Sequence, residues 1–166
     1  MNRIAKNEDI EEISRLRIMQ QKDDWKELYP NKDEEFYAVT KKYLEEHLNK
    51  DIFFFIEIID NKIIATCGLQ VIKYMPQCVE SGVEGYICDV FTLKEYRRKG
   101  IQTNLIKECI KFAKKNNIIE LKLSSDNPEA IRIYQEQGFE HDKLIMKNLL
   151  SKWLKLIKKK DILQLW

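Results

Sequence analysis

Two short stretches hold the residues best suited to chemistry. The first is Arg97-Arg98-Lys99-Gly100-Ile101-Gln102-Thr103, which follows a strand-like run from Tyr86 to Thr92 and opens a helical pattern. A strand turning into a helix leaves the first backbone N–H groups of that helix unpaired and pointing outward. The helix dipole adds roughly half a positive charge at the same end, and Gly100 has no Cβ to hold an anion away from the backbone. Three consecutive basic side chains and Lys94 strengthen the attraction, so the stretch suits a phosphate or pyrophosphate. Taken alone, the same turn also reads as ordinary structure with a solvated basic face. A dinucleotide fingerprint needs three spaced glycines and a Walker loop needs Gly-Lys-Ser/Thr; here Lys99 precedes Gly100, and neither fits.

The second stretch starts at Asn127. Asn127, Ile131 and Tyr134 stand at i, i+4 and i+7, on one helix face about 10 Å long. A phenol with an ordinary pKa near 10 keeps its proton at neutral pH and can give it to a strong base forming beside it, such as a departing thiolate. The plain alternatives are that Asn127 is only an N-cap and Tyr134 only a core aromatic. The two stretches flank consecutive strands predicted to be parallel, so both can face one cleft at the strands' carboxyl ends.

The surrounding elements must deliver that geometry. Ile10, Ile13, Leu16 and Met19 predict a helix capped by Asn7 and running to about Lys22, with Asp23 to Pro30 as a connecting loop. Phe36, Val39, Tyr43 and Leu44 mark a second helix. A hairpin is expected from the strand Ile52 to Ile59, the turn Asp60-Asn61-Lys62 and a strand opening at Ile63 to Cys67. After the strand Tyr86 to Thr92, a helix buries Leu105, Ile106, Cys109, Ile110 and Phe112, and a strand over Ile118 to Ser124 completes a crossover unit. Asn127 caps the last helix, Pro128 opens it and Gly138 stops it. Phe139 to His141 and Leu144 to Leu149 are expected as final strands, followed by an amphipathic tail over residues 151–166. The division is therefore one domain over residues 1–150 plus the tail.

At 166 residues and 44% hydrophobic content the chain supports one sizeable core. Its 29 Lys and Arg nearly cancel 27 Asp and Glu, so no global field favours nucleic acid. Met1 to Glu12 has no apolar run, and the expected compartment is the cytoplasm, with no stable membrane insertion. Cys67, Cys78, Cys88 and Cys109 form no C-x-x-C pair, so no metal is expected and the thiols are read as reduced packing residues.

In order and spacing, these residues resemble the GNAT superfamily of N-acetyltransferases: a strand, Arg/Gln-x-x-Gly-x-Gly/Ala at the next helix, then Asn and Tyr before Gly-Phe. Here the first part reads Val90-Phe91-Thr92 through Arg97-Arg98-Lys99-Gly100-Ile101-Gln102, and the second Asn127 through Tyr134 to Gly138-Phe139. The resemblance implies an α/β (α+β) fold with a mixed central sheet, a parallel pair after the central strand and about four helices. It also implies transfer of acetyl from acetyl-CoA to a primary amine of a small molecule or peptide, without a metal. Val90, Phe91 and Thr92 would offer backbone groups to the pantetheine arm, with an N–H near the middle of the set polarising the thioester carbonyl. Arg98 to Thr103 would hold the pyrophosphate with Arg97 beside it, Asn127 would touch pantetheine and Tyr134 would act as general acid.

Two positions depart from the family's pattern. Gln102 stands where a second small residue belongs and must point away from the pyrophosphate. Leu121-Lys122-Leu123 lacks the glutamate base found on this strand in many relatives, and an ammonium cannot replace it. Asp89 and Glu84 are the remaining candidates for the base; strict alternation sends them to opposite faces unless the strand is bulged. Asp24, Trp25, Tyr29 and Tyr86 are expected to accommodate the amine by charge and ring-face attraction. A different class of function, a non-catalytic acyl-CoA sensor or scaffold, keeps the cofactor site and loses turnover. The tail is a candidate homodimer contact.

Overall fold

A computed structural model describes residues 1–76, 78 and 81–142. Among the described residues the sheet has five strands in the order β1-β2-β3-β4-β5: β1 Asn2–Ile4, β2 Ile52–Ile59, β3 Lys62–Lys73, β4 Val83–Thr92 and β5 Glu120–Lys122. All neighbours are antiparallel except β4 and β5, which run parallel as the crossover predicts. Among the described residues the helices are α1 Ile10–Trp25, α2 Asp33–His47, α3 Ile101–Lys115 and α4 Pro128–Glu136.

The helices cover opposite faces of the sheet. On α3, Phe112 lies with its ring 4.7 Å from Phe53 and 5.6 Å from Phe55. On α2, Tyr43 donates to Gln70, whose β2 partner is Ile52, one residue out of phase with Phe53. Phe54, Ile56, Ile64, Leu69, Leu105 and Ile106 are fully buried between these layers, a core that supplies most of the driving force for folding. The β2–β3 hairpin turns through Asp60 and Asn61, both with positive φ (49° and 59°), which these residue types tolerate.

Several expectations are corrected. Asn7 does not cap the first helix: Asn7–Asp9 is a 3₁₀ turn, and Asp9 does the work by accepting the Lys6 N–H at 2.7 Å and both Arg3 terminal nitrogens. The helix continues to Trp25 because the Trp25 indole donates to Gln21 four residues back (2.9 Å) and the chain turns only at Lys26, with φ 47°. Asp23, Asp24 and Trp25 therefore stand on a helix and not in a loop. β1 had no signal in its short polar sequence and exists through pairing with β2. β3 is longer than expected and β5 shorter, while Phe139 to His141 is not a strand. Leu144 to Leu149 and the tail over 151–166 lie outside the described residues.

A bulge in β4 shapes the site. Thr66 faces Phe91 and Gly68 faces Cys88, so Asp89 and Val90 both stand opposite Cys67. Asp89 takes the left-handed conformation (φ 50°), and the Thr66 hydroxyl donates to its carbonyl at 2.9 Å. This interrupts the alternation that would have kept Glu84 and Asp89 on opposite faces.

Candidate functional site

β4 and β5 are paired only at Glu84–Glu120, Gly85–Leu121 and Tyr86–Lys122. Among the described residues, no strand pairs with the β5-facing edge of β4 beyond Tyr86. Leu93 donates its N–H to Ile64 at 2.9 Å, and antiparallel ladders alternate, so Phe91 also turns its backbone toward β3. Val90 and Thr92 then turn theirs toward the open side. The Thr92 carbonyl accepts Arg97 Nε at 2.8 Å, leaving the Val90 N–H and C=O and the Thr92 N–H as the exposed polar edge.

The basic turn follows directly. Arg98 (φ 63°) and Gly100 (φ 74°) are both left-handed and swing the chain from the 3₁₀ turn Lys94–Tyr96 into α3. Among the described residues no side chain caps α3, and its first turn contains no acid; the N–H groups of Ile101, Gln102 and Thr103 have no intrahelical acceptor. A Cβ on Gly100 would meet no atom of the described residues within 4 Å, which leaves room for a ligand against the backbone.

The basic side chains divide their tasks. Arg97 turns to α1, donating to Asp23 at 2.6 Å and lying over the Phe91 ring, and Lys94 joins the same Asp23 at 3.0 Å. This triad ties the end of α1 to the end of β4; Asp23 was missed because nothing local in the sequence marks a partner 74 residues away. Lys99 lies over Tyr96, with 5.2 Å from its ammonium to the ring centroid.

Gln102 points inward, away from the open turn. Its Nε2 lies 2.7 Å from the Phe91 carbonyl, 3.1 Å from the Thr66 carbonyl and 2.9 Å from the Thr92 hydroxyl. These contacts hold the side chain away from the open side of the turn.

On the far side, Asn127 caps α4, accepting the Glu129 and Ala130 N–H groups at 2.9 and 3.4 Å. Gly138 (φ 91°) closes the helix: its N–H returns to Gln135 at 3.0 Å and that of Phe139 to Tyr134 at 3.1 Å. The same cap brings the Phe139 ring edge-on to Tyr134, with centroids 6.0 Å apart. Tyr134 is 7% exposed, and burial, with Cys67 nearby, pushes its phenol up to about 12. No hydrogen bond engages its hydroxyl among the described residues.

Both carboxylates considered as bases are paired. Asp89 meets Arg17 of α1, a partner that sequence reading did not identify, and Arg17 also lies over Phe36. Glu84 accepts from Lys122 across the parallel pair at 2.6 Å; the hydrogen bonds that Lys122 donates to Glu84 and then to Glu120 raise its pKa. Partial desolvation, followed by the charges of Asp23 and Asp126, raises the Asp24 carboxyl above its ordinary value.

The aromatic residues expected at the amine are not brought together. Trp25 and Tyr29 line a groove of about 370 Å³ with Gln21, Pro30, Phe36 and Val39, between the end of α1 and the start of α2. Tyr86 instead shares a hydrogen bond of 2.6 Å with Ser124, just ahead of α4. Among the described residues, no helix is long and apolar enough to cross a membrane.

Comparison with known proteins gives this geometry a lineage. An N-alpha-acetyltransferase from Saccharolobus solfataricus is 30% identical over 113 residues, covering 62% of this chain and 66% of that protein. An uncharacterized N-acetyltransferase from Methanocaldococcus jannaschii is 35% identical over 75 residues, 44% of this chain and 31% of that protein. The chain thus spans less than two thirds of the length of either relative. A predicted acetyltransferase from Clostridium acetobutylicum, solved with acetyl-CoA, superposes with a TM-score of 0.76 at 25% identity, covering 90% of this chain and 96% of that one. The acetyltransferase (GNAT) family profile matches residues 17–139, which include the bulged strand, the basic turn and the helix of Tyr134, and the chain belongs to that family.

Proposed function

We propose that the chain is an N-acetyltransferase using acetyl-CoA as donor and a primary amine as acceptor. One observation supports it above all: among the described residues, the open edge at Val90 and Thr92 and the free N–H groups at Ile101 to Thr103 lie on one continuous segment, joined by the turn through Arg98 and Gly100. Together they offer an extended polar track ending in an anion cradle, the shape of a pantetheine arm with its pyrophosphate. The space above Gly100 and the absence of acid in the first turn of α3 fit that anion.

Acetyl-CoA supplies an acetyl group already activated as a thioester. The N–H groups at the start of α3, with Arg98 and Lys99, hold the pyrophosphate. Val90 and Thr92 pair with the arm as an added strand would, and an N–H on this open edge polarises the acyl carbonyl. Phe91 supports that edge through its pairing with Thr66 of β3. Asn127 keeps its side-chain amide nitrogen for the arm while its oxygen caps α4.

Tyr134 holds a proton for the sulfur. A phenol at about 12 cannot fully transfer it to a thiolate whose conjugate acid has a pKa near 8.5, so Tyr134 shares the proton as the C–S bond opens. An α-amine with pKa about 8 is partly neutral at pH 7 and needs little help from a base. Asp89 and Glu84 remain the carboxylates that can take its proton, in each case while exchanging an ion-pair partner.

The acceptor we favour is a peptide α-amine, with small amines as the alternative. The names of the curated relatives favour the peptide. Thiol release from acetyl-CoA is to be measured across a panel of short peptides and small amines. Turnover with any amine supports the function; CoA affinity without turnover would show a binder, and no affinity would end the proposal.

A further inference from the structure

Gln102 spans the two halves of the proposed donor site. It sits on the first turn of α3, where the pyrophosphate cradle begins, and its side chain runs to the level of Phe91, within the strand segment that holds the arm. Its amide nitrogen has acceptors on two strands: the Thr66 carbonyl in β3 and the Phe91 carbonyl and Thr92 hydroxyl in β4. Ladder pairing already employs Thr66 and Phe91 with each other, so the amide adds a second contact to each carbonyl at the point where the bulge ends. The Gln102 carbonyl oxygen is buried without a partner among the described residues, a cost that the nitrogen's bonds must offset. A residue chosen for packing alone would not carry that cost.

From this geometry we infer that Gln102 is a positioning residue: a strut that fixes the distance between the anion cradle of α3 and the open edge of β4. The inference rests on the donor site proposed above. Its consequence is coupling. A donor that engages both cradle and edge gains from their fixed spacing, whereas a donor that engages only the edge does not. Gln102 is also the position where the chain departs from the small residue of the family's pattern, so the strut is a property of this chain.

The test uses Gln102→Met, which keeps the length and loses the donors, and Gln102→Glu, which keeps the shape and sets a carboxylate against the same acceptors. Both are compared with the unaltered protein using acetyl-CoA and acetyl-pantetheine, which lacks the pyrophosphate. CoA affinity is read by calorimetry, and thermal melts check folding. Loss of the amide bonds should raise the acetyl-CoA KM and the CoA Kd about tenfold in Gln102→Met. Its kcat/KM with acetyl-pantetheine should stay within about twofold, and Gln102→Glu should lose at least as much with acetyl-CoA. An equal loss with both donors, or no loss with either, would overturn the strut. Unaltered protein that binds no CoA would overturn the functional reading itself, a result visible before any variant is made.

Discussion

Removing one atom from Tyr134 tests the chemistry most directly. In Tyr134→Phe the ring, its burial and its edge contact with Phe139 at 6.0 Å are all kept, and only the hydroxyl is lost. Because that hydroxyl has no hydrogen bond among the described residues, unfolding free energy should change by less than about 1 kcal/mol. Its effect on turnover should be far larger. Positioned acids contribute about 10²- to 10⁴-fold. A phenol at about 12 is poorly matched to sulfur, which places the expected loss of kcat near the low end, about 10²-fold or ~3 kcal/mol of barrier. Two further readings separate proton sharing from packing. An acetyl thioester of an acidic aromatic thiol needs no proton at sulfur and should narrow the gap between the two proteins. The sign of the pKa shift also matters: burial raises it, so the phenol stays protonated up to about pH 11 and contributes no falling alkaline limb below that pH. A kcat for Tyr134→Phe within twofold of the unaltered protein would refute the role. So would an alkaline limb near pH 9 that vanishes in the variant.

Gly100→Ala should separate strain from binding. The left-handed φ of 74° costs a side chain about 1–2 kcal/mol of stability, while the methyl clashes with no atom of the described residues. The methyl projects into the proposed phosphate space, so CoA Kd measured by calorimetry should rise at least about tenfold; unchanged affinity would remove Gly100 from the cradle. Asp9→Asn tests the entry to α1. Burial raises the Asp9 carboxyl, but the Arg3 pair and the Lys6 N–H outweigh it and leave the pKa below its ordinary value. The carboxylate therefore stabilises the fold above about pH 4, and that contribution fades as pH falls through the lowered folded value. The variant should be about 1–3 kcal/mol less stable at pH 7, by denaturant titration, with a flatter acid dependence; an unchanged acid slope would show that Asp9 contributes no linkage.

Local physics made part of this molecule legible in its sequence. The Asn127 cap, Pro128 and Gly138 write the ends of α4 in residues whose backbone and side-chain preferences operate within a few positions, and the structure places all three as expected. The strand-to-helix turn at Arg98 to Gly100 is of the same kind, as is the parallel pair that its crossover length requires. What escaped is what only long-range pairing determines. β1 exists because β2 presents an edge to a polar segment with no strand signal of its own. The helical placement of Asp23, the use of Arg97 as a tie and the capture of Asp89 by Arg17 join residues dozens of positions apart. The β4 bulge is a mismatch between two strands, which no single strand's sequence can show. The inward turn of Gln102 likewise became decidable only once three acceptors from two strands met at one point. Sequence alone determined which groups were available and how the nearest elements begin and end; tertiary structure decided which groups were already spent on each other and which stayed open for a ligand.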